Sequence, residues 1–162
     1  MHTVTAVPIT PAAFAPFGDV IAPGSAPAAL VNAARFDRFD GLARVDCGAD
    51  INVGIMRCAN ATALPCTIDL MECHPQGSQA FLPLDPLAFV IALAPPAAVP
   101  VVADVRAFVV PPYTGINMHA GVWHVPLLGS VVGQCFAVID RAHPDNCDEV
   151  PLPEPFILEA TL

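Results

Sequence analysis

The sequence predicts an all-β domain, and three observations favour that fold class. Short apolar runs recur with Gly, Pro, Asn or Asp turn signals between them, which is typical of a β-sandwich or barrel. Pro accounts for 19 of the 162 residues. Lys is absent and only six Arg are present, although the exposed face of a surface helix normally carries charged residues. The length and the 55% hydrophobic content fit a single domain over residues 1–162 with a sizeable core.

The secondary structure is expected to consist of short strands and one N-terminal helix, for which Thr10 is the N-cap and Pro11 the first helical position. Residues 22–34 are expected to form a connection rich in Pro, Ala and Gly. The predicted strands span residues 17–21, 51–58, 67–74, 89–94, 105–110, 121–128 and 133–140. The predicted core comprises Ile68, Leu70, Val90, Leu93, Phe108, Val122, Phe136 and Val138.

The charge pattern limits the classes of partner. A net charge of −9 argues against nucleic acid, because phosphate binding needs clustered Lys and Arg. The uncharged stretch 87–103 is short and contains three prolines, which argues against a membrane span. The acidity favours solubility; the alternative is a pocket for a small anion, which would then need a local Arg or backbone N–H groups.

The cysteines and the N-terminus suggest a cytoplasmic protein. The first ten residues have neither a basic start nor a continuous apolar run, so no signal peptide is expected. The six cysteines include no C-x-x-C pair and are expected to be reduced and mostly buried, with a disulfide framework as the alternative.

Strand alternation places polar groups at the end of a core-facing row. In a strand over residues 67–74, Ile68, Leu70, Glu72 and His74 share one face, and the two aliphatic residues make it the inward face. An acid and an imidazole at an inward position need a partner or a ligand; the alternative is a solvated rim. In the strand predicted over residues 121–128, His124 lies on the face opposite Trp123.

Two segments have the spacing of the cupin motifs. ECHPQGSQ (72–79) resembles H-x-H-x(3,4)-E, with Glu72 at the first His position, His74 at the second and Gln79 at the Glu position. HAGVWH (119–124) resembles P-x-G-x(2)-H, with His119 in place of Pro and His124 at the ligand position. Together they predict a cupin-like double-stranded β-helix, a jelly-roll barrel with one or two short helices.

Longer stretches resemble the ureidoglycolate lyase family of cupins: PAAFAPFGDVI, MECHPQGSQAFLPL, GINMHAGVWHVPL and IDRAHPDNCDEV. The resemblance covers about residues 5–150 and leaves the C-terminal tail outside. It implies a cupin barrel, a homodimer, and cleavage of (S)-ureidoglycolate to glyoxylate and urea by an amidine-lyase of allantoin and purine catabolism. Met118 and Val125 stand where the family often has an aromatic residue and a second His, which changes the shape of the pocket.

The reaction requires a general base, a general acid and a carboxylate anchor. The predicted catalytic residues are Glu72, His74, His119 and His124. The predicted substrate-binding residues are Arg57, Gln79, Asn117 and Trp123. Which group is base and which is acid is left open. For Arg57 the alternative is a surface salt bridge, and for Trp123 it is packing.

A divalent metal is the second route to the same chemistry, because it would lower the pKa of the substrate hydroxyl. Glu72, His74 and His124 are candidate ligands for nickel, manganese or zinc, and the neutral Gln79 weakens this set. The segment 145–148 is a candidate Asx turn bordering the site. Two other functions stay open: another metal-dependent cupin enzyme, such as a dioxygenase or sugar isomerase, and a non-enzymatic small-molecule-binding cupin.

Overall fold

The computed structural model describes residues 2–24, 28–48 and 50–162, and this part of the chain consists mainly of strands. The strands are β1 (His2–Thr5), β2 (Val7–Pro8), β3 (Gly18–Ile21), β4 (Ala29–Val31), β5 (Phe36–Arg38), β6 (Ile51–Arg57), β7 (Cys66–Cys73), β8 (Gln79–Pro83), β9 (Phe89–Ala94), β10 (Arg106–Val110), β11 (Gly115–Met118), β12 (Trp123–His124), β13 (Cys135–Arg141) and β14 (Asp148–Glu159). The helical elements are α1 (Pro11–Phe14) and a 3₁₀ helix (Val102–Asp104). The prediction of an all-β fold with one or two short helices is confirmed.

Two large sheets form the body of the protein. The seven-stranded sheet has the order β1-β14-β7-β12-β9-β10-β2, and the five-stranded sheet has the order β3-β11-β8-β13-β6. A small third sheet pairs β4 with β5. Neighbouring strands are antiparallel except for β1 with β14 and β2 with β10.

The N-terminal strands curl the seven-stranded sheet toward closure. β1 and β2 form its two opposite edges, yet only Ala6 separates them in the chain. The Ala6 N–H donates to Glu159 O, and the Ile9 N–H donates to Val109 O. Because one short segment joins both edges, the sheet bends into a barrel-like shape, as expected for a cupin.

The core lies between the two large sheets. Phe89 of β9 contacts Phe136 of β13 with ring centroids 5.1 Å apart, and Phe136 also packs against Phe81 of β8. Seven of the eight predicted core residues are buried. The eighth, Leu70, is half-buried, since it pairs with Pro151 where the β7–β14 ladder becomes irregular.

The N-terminal helix follows its sequence signals. The Thr10 hydroxyl accepts a hydrogen bond from the Ala13 N–H at 3.2 Å, and Pro11 begins the helix. Phe14 is fully buried and packs edge-on against Phe108. The prediction of a capped helix at this position is confirmed.

Several predicted strands end elsewhere. Of the strand predicted over residues 121–128, only Trp123–His124 has strand structure. Gly121 has a positive φ of 78°, which interrupts regular pairing at that end. Strands β8 and β11 were not predicted, because their small and polar residues give weak apolar runs.

The C-terminal tail forms an inner strand of the seven-stranded sheet, next to one edge. β14 lies between β1 and β7, and its prolines surround the register shift between Pro151 and Phe156. A segment with such prolines is not predicted as a strand from its sequence, since Pro is rare inside paired strands. The connection predicted over residues 22–34 contains β4, and its residues 25–27 lie outside the described part.

Candidate active site

A row of polar side chains crosses three strands of the seven-stranded sheet. In the register of the sheet, Glu72 of β7 pairs with His124 of β12 on one side and with Glu149 of β14 on the other. His124 also pairs with Leu93 of β9. Leu93 lies on the same face of β9 as Phe89, whose ring contacts the opposite sheet. Glu72 and His124 therefore lie on the interior face of the barrel, as strand alternation predicts.

His124 is buried with its Nε2 atom directed at Glu72. The side chain is 1% exposed, and Nε2 lies 3.2 Å from Glu72 Oε1 without the alignment of a hydrogen bond. Nδ1 lies 3.2 Å from the carbonyl oxygen of Val122, and a carbonyl can only accept, so Nδ1 carries the proton. In the neutral ring, Nε2 then directs its lone pair at the carboxylate of Glu72. A proton or a metal cation between these two atoms would relieve their repulsion.

His74 is held in the same manner. Its Nδ1–H donates to the Asn146 carbonyl, and its Nε2 is buried without a partner. The His74 and His124 ring centroids are 5.4 Å apart. The Asn146 side chain is anchored in turn, because its Oδ1 accepts from the Gln76 N–H at 2.8 Å. A backbone carbonyl that holds one ring nitrogen leaves the other free to bind a ligand.

The site favours an ionised Glu72. Burial raises the pKa of this carboxyl, but the contact with His124 and the positive charges that His124 and His74 can carry lower the pKa by more. The net result is a pKa below the usual range for Glu. Glu72 is therefore a carboxylate at neutral pH, ready to accept a proton or to bind a cation.

The three groups fit a metal ion. Glu72, His74 and His124 each offer a donor atom, and these atoms lie within 4.8 Å of one another. The two Nε2 atoms are buried and have no hydrogen-bond partner among the described residues, which suits them to bind a metal ion. Two imidazoles and one carboxylate form an open ligand set of the kind used by catalytic zinc and other divalent ions.

A second His–carboxylate pair lies on the other face of the five-stranded sheet. His119 Nε2 is 3.3 Å from Asp19 Oδ2, which also accepts from the Asn117 side chain and the Arg44 N–H. Asn117 pairs with Asp19 and Ala80, whereas its neighbour Ile116 pairs with Phe81, which faces the core. Strand alternation thus directs Asn117 to the outer face, and the structure places it and His119 apart from Glu72.

The comparison with known proteins identifies the family. A family model described as ureidoglycolate lyase matches residues 1–159. The chain belongs to this family. The match includes the C-terminal strand β14, so the family resemblance extends beyond the limit near residue 150 that the sequence motifs indicated.

Individual relatives in the ureidoglycolate lyase family agree. The protein named ureidoglycolate lyase from Pseudomonas fluorescens (strain Pf0-1) is 43% identical over 153 residues, covering 92% of this chain and 91% of the relative. The one from Rhodobacter capsulatus is 42% identical over 162 residues, covering 98% and 99%. The one from Burkholderia cepacia is 41% identical over 155 residues, covering 93% and 87%. Within the described residues, no helix is long and apolar enough to cross a membrane.

Three other residues were predicted to bind the substrate, and they differ in where they lie relative to the interior site. Gln79 of β8 faces the interior from the opposite sheet; its Nε2 donates to Asp140 and its Oε1 is buried without a partner. Trp123 is buried on the face opposite His124, and its Nε1–H donates to the Ala97 carbonyl. Arg57 is exposed at the end of the edge strand β6, beside a surface pocket of about 290 Å³.

The structure adds residues to which the sequence analysis assigned no role. Asp19 holds His119, and Glu149 lies beside Glu72. Both lie in stretches that resemble the family, PAAFAPFGDVI and IDRAHPDNCDEV. The turn hypothesised over residues 145–148 lies beside His74, which its Asn146 carbonyl holds. The two Asp and one Asn in this turn, residues 145–148, were the available signal.

Proposed function

We propose that this protein is a carbon–nitrogen lyase of the amidine-lyase class that cleaves (S)-ureidoglycolate to glyoxylate and urea in allantoin and purine catabolism. The observation that carries the proposal is the interior cluster of Glu72, His74 and His124 in a chain of the ureidoglycolate lyase family. The cluster brings together a carboxylate and two imidazoles, the groups that the reaction requires.

The bond changes assign a role to Glu72. Its carboxylate accepts the proton of the substrate hydroxyl, whose O–H electrons become the second bond of the aldehyde of glyoxylate. The carbon–nitrogen electron pair leaves with the ureido nitrogen. Glu72 then returns the proton to that nitrogen, which releases urea. The lowered pKa of Glu72 keeps it ionised and able to begin the cycle at neutral pH.

His74 and His124 hold the reacting centre in our proposal. Backbone carbonyls fix their Nδ1 atoms, so both residues keep Nε2 for a ligand and, together with Glu72, would hold a nickel, manganese or zinc ion. Such an ion would bind the substrate carboxylate and hydroxyl and lower the pKa of the hydroxyl. Gln79 Oε1, buried and unpartnered, is available to accept an N–H of the ureido group.

We also propose that the protein is a cytoplasmic homodimer. The edge strand β6 exposes Ile51, Val53 and Ile55 on one face, with exposed fractions of 63%, 71% and 64%. An edge strand with such a face is suited to pairing with a second copy. The six cysteines, all within the described residues, form no disulfide, which fits a reducing compartment.

The test is a product assay with the purified protein. We expect glyoxylate and urea to form in equal amounts from ureidoglycolate, without ammonia, and a chelator to abolish turnover if the metal assignment is correct. Ammonia in place of urea would contradict the lyase assignment. Full turnover after exhaustive chelation would contradict the metal assignment alone.

A further inference from the structure

The five-stranded sheet carries a chain of three polar side chains on its interior face. Strand alternation and register place Asp140 of β13 and Gln79 of β8 on the same face of this sheet as the core residue Phe81. Gln79 Nε2 donates to Asp140 Oδ2 at 3.2 Å, and Asn52 Nδ2 of β6 donates to Asp140 Oδ1 at 2.9 Å. Each oxygen of the Asp140 carboxylate therefore holds one amide.

This chain lies at the same end of the barrel as the interior cluster of the candidate active site. One short connection joins β7, which carries Glu72 near its end, to β8, which begins at Gln79. Asp140 is the last but one residue of β13, and the turn that follows β13 supplies the Asn146 carbonyl that holds His74. The two large sheets thus present polar groups to the interior at one end of the fold.

The Asp140 carboxylate determines which way the Gln79 amide faces. An ionised carboxylate can only accept hydrogen bonds, so the NH₂ group of Gln79 is the part of the amide that faces it. The amide oxygen, Oε1, is buried without a hydrogen-bond partner among the described residues, and Gln79 as a whole is 7% exposed. Because an unpaired buried acceptor is costly, Oε1 is suited to accept a hydrogen bond from a ligand.

We propose that Asp140 is a positioning residue: it holds Gln79 as an acceptor for the terminal NH₂ of the ureido group, and so selects ureido substrates over analogues that lack this donor. The inference rests on the proposed function, in which Glu72 meets the hydroxyl of the substrate and Gln79, on the opposite sheet, meets the ureido end. A site built to hydrogen-bond a donor rejects a ligand of the same shape without it, since the buried acceptor then stays unpaired.

Binding of two unreactive probes to the full-length protein tests this inference. Ureidoacetate lacks the hydroxyl and cannot react, but it keeps the whole ureido group. N-acetylglycine has the same shape, with a methyl group in place of the terminal NH₂. Calorimetry should show that the wild-type protein binds N-acetylglycine roughly 10–100-fold more weakly than ureidoacetate.

Asp140→Asn leaves one acceptor for two amides, so the Gln79 amide is free to turn. The affinity for ureidoacetate should fall by roughly 10–100-fold, while that for N-acetylglycine should change little. Asp37→Asn, on the exposed strand β5, is the matched control, because it removes the same charge and should alter neither affinity.

Exchanging the acid and the amide provides a rescue. In the double variant Asp140→Asn/Gln79→Glu, the new carboxylate accepts from the new amide and keeps its second oxygen for the ligand, at an unchanged net charge. This variant should recover the preference for ureidoacetate. A residue that only stabilised the fold would not produce such a recovery.

The outcomes separate this inference from the proposed function. Equal affinities of the two probes for the wild-type protein, or no binding of ureidoacetate, would overturn the inference. A preference that survives in the folded Asp140→Asn protein would do the same, and if that variant does not fold, the wild-type preference and the double variant decide. Urea release from ureidoglycolate is measured on the same preparations. Urea release without probe discrimination refutes only the role of Asp140, and discrimination without urea release refutes only the lyase.

Discussion

The interior pair of Glu72 and His124 and the outer-face pair of Asp19 and His119 join the same two functional groups at nearly the same distance, 3.2 Å and 3.3 Å. Their surroundings differ. The interior side chains are 16% and 1% exposed, whereas those of Asp19 and His119 are 28% and 48% exposed. Solvent and three hydrogen bonds satisfy Asp19, while the interior cluster leaves buried nitrogens without partners.

Distance alone therefore does not distinguish a reactive pair from a structural one. Buried polar atoms are nearly always hydrogen-bonded, so buried ring nitrogens that have no protein partner and lie beside a carboxylate are suited to bind a ligand. The outer pair instead ties β3 and β11 to the segment that contains Arg44. We infer that chemistry takes place at the interior pair and that the outer pair supports the sheet.

The largest expected effect comes from removing one imidazole from each pair. His124→Ala should lower kcat/KM by roughly 10²–10⁴-fold, the range for loss of one acid–base group, and should also reduce bound metal. His119→Ala should lower kcat/KM less than tenfold, even though His119 was predicted to be catalytic. Steady-state kinetics, metal analysis and circular dichroism are the measurements.

The control for this comparison is His2→Ala, which removes an exposed imidazole that lies at the start of β1 and belongs to neither pair. It should leave activity unchanged. Equal losses in the His124 and His119 variants would show that both pairs take part in the reaction. An active, folded His124→Ala protein would make His124 a structural residue.

A smaller effect is expected from the residue that holds His74. Asn146→Ala removes the acceptor of the Gln76 N–H, so the turn and the carbonyl on His74 lose their fixed position. We expect metal affinity and kcat/KM to fall by roughly 10–100-fold, as is usual for outer-shell partners of metal ligands. Asn146→Asp keeps an oxygen acceptor and should restore most of the loss. Metal titration of both variants decides the point, and an unaffected Asn146→Ala protein would contradict the positioning role.

The interior pair could be predicted from the sequence because strand alternation and motif spacing are local properties. Glu72 follows Ile68 at even spacing, and His124 lies at the fixed position of its motif, so the facing of both side chains was predictable. Asp19 and His119 lie 100 residues apart, and only the β3–β11 register brings them together. The Glu149 contact depends on β14, whose prolines hide a strand that only the neighbouring β1 and β7 stabilise.

The smallest expected effect concerns stability at the outer pair. Burial raises the pKa of Asp19, but hydrogen bonds from the Asn117 side chain and the Arg44 N–H, with the charge of His119, lower it below its usual value. A depressed folded-state pKa contributes stability that is present above the unfolded pKa of about 3.9 and is lost as pH falls through the folded pKa.

Asp19→Asn removes this contribution, so the wild-type protein should have a higher unfolding free energy than the variant at pH 7. The gap should narrow on acidification below about pH 4, as measured by urea denaturation at each pH. Asp37→Asn, on the exposed strand β5, controls for the loss of one negative charge. A gap that stays constant with pH would show that Asp19 supports the sheet through shape and neutral hydrogen bonds, and that its ionisation contributes nothing.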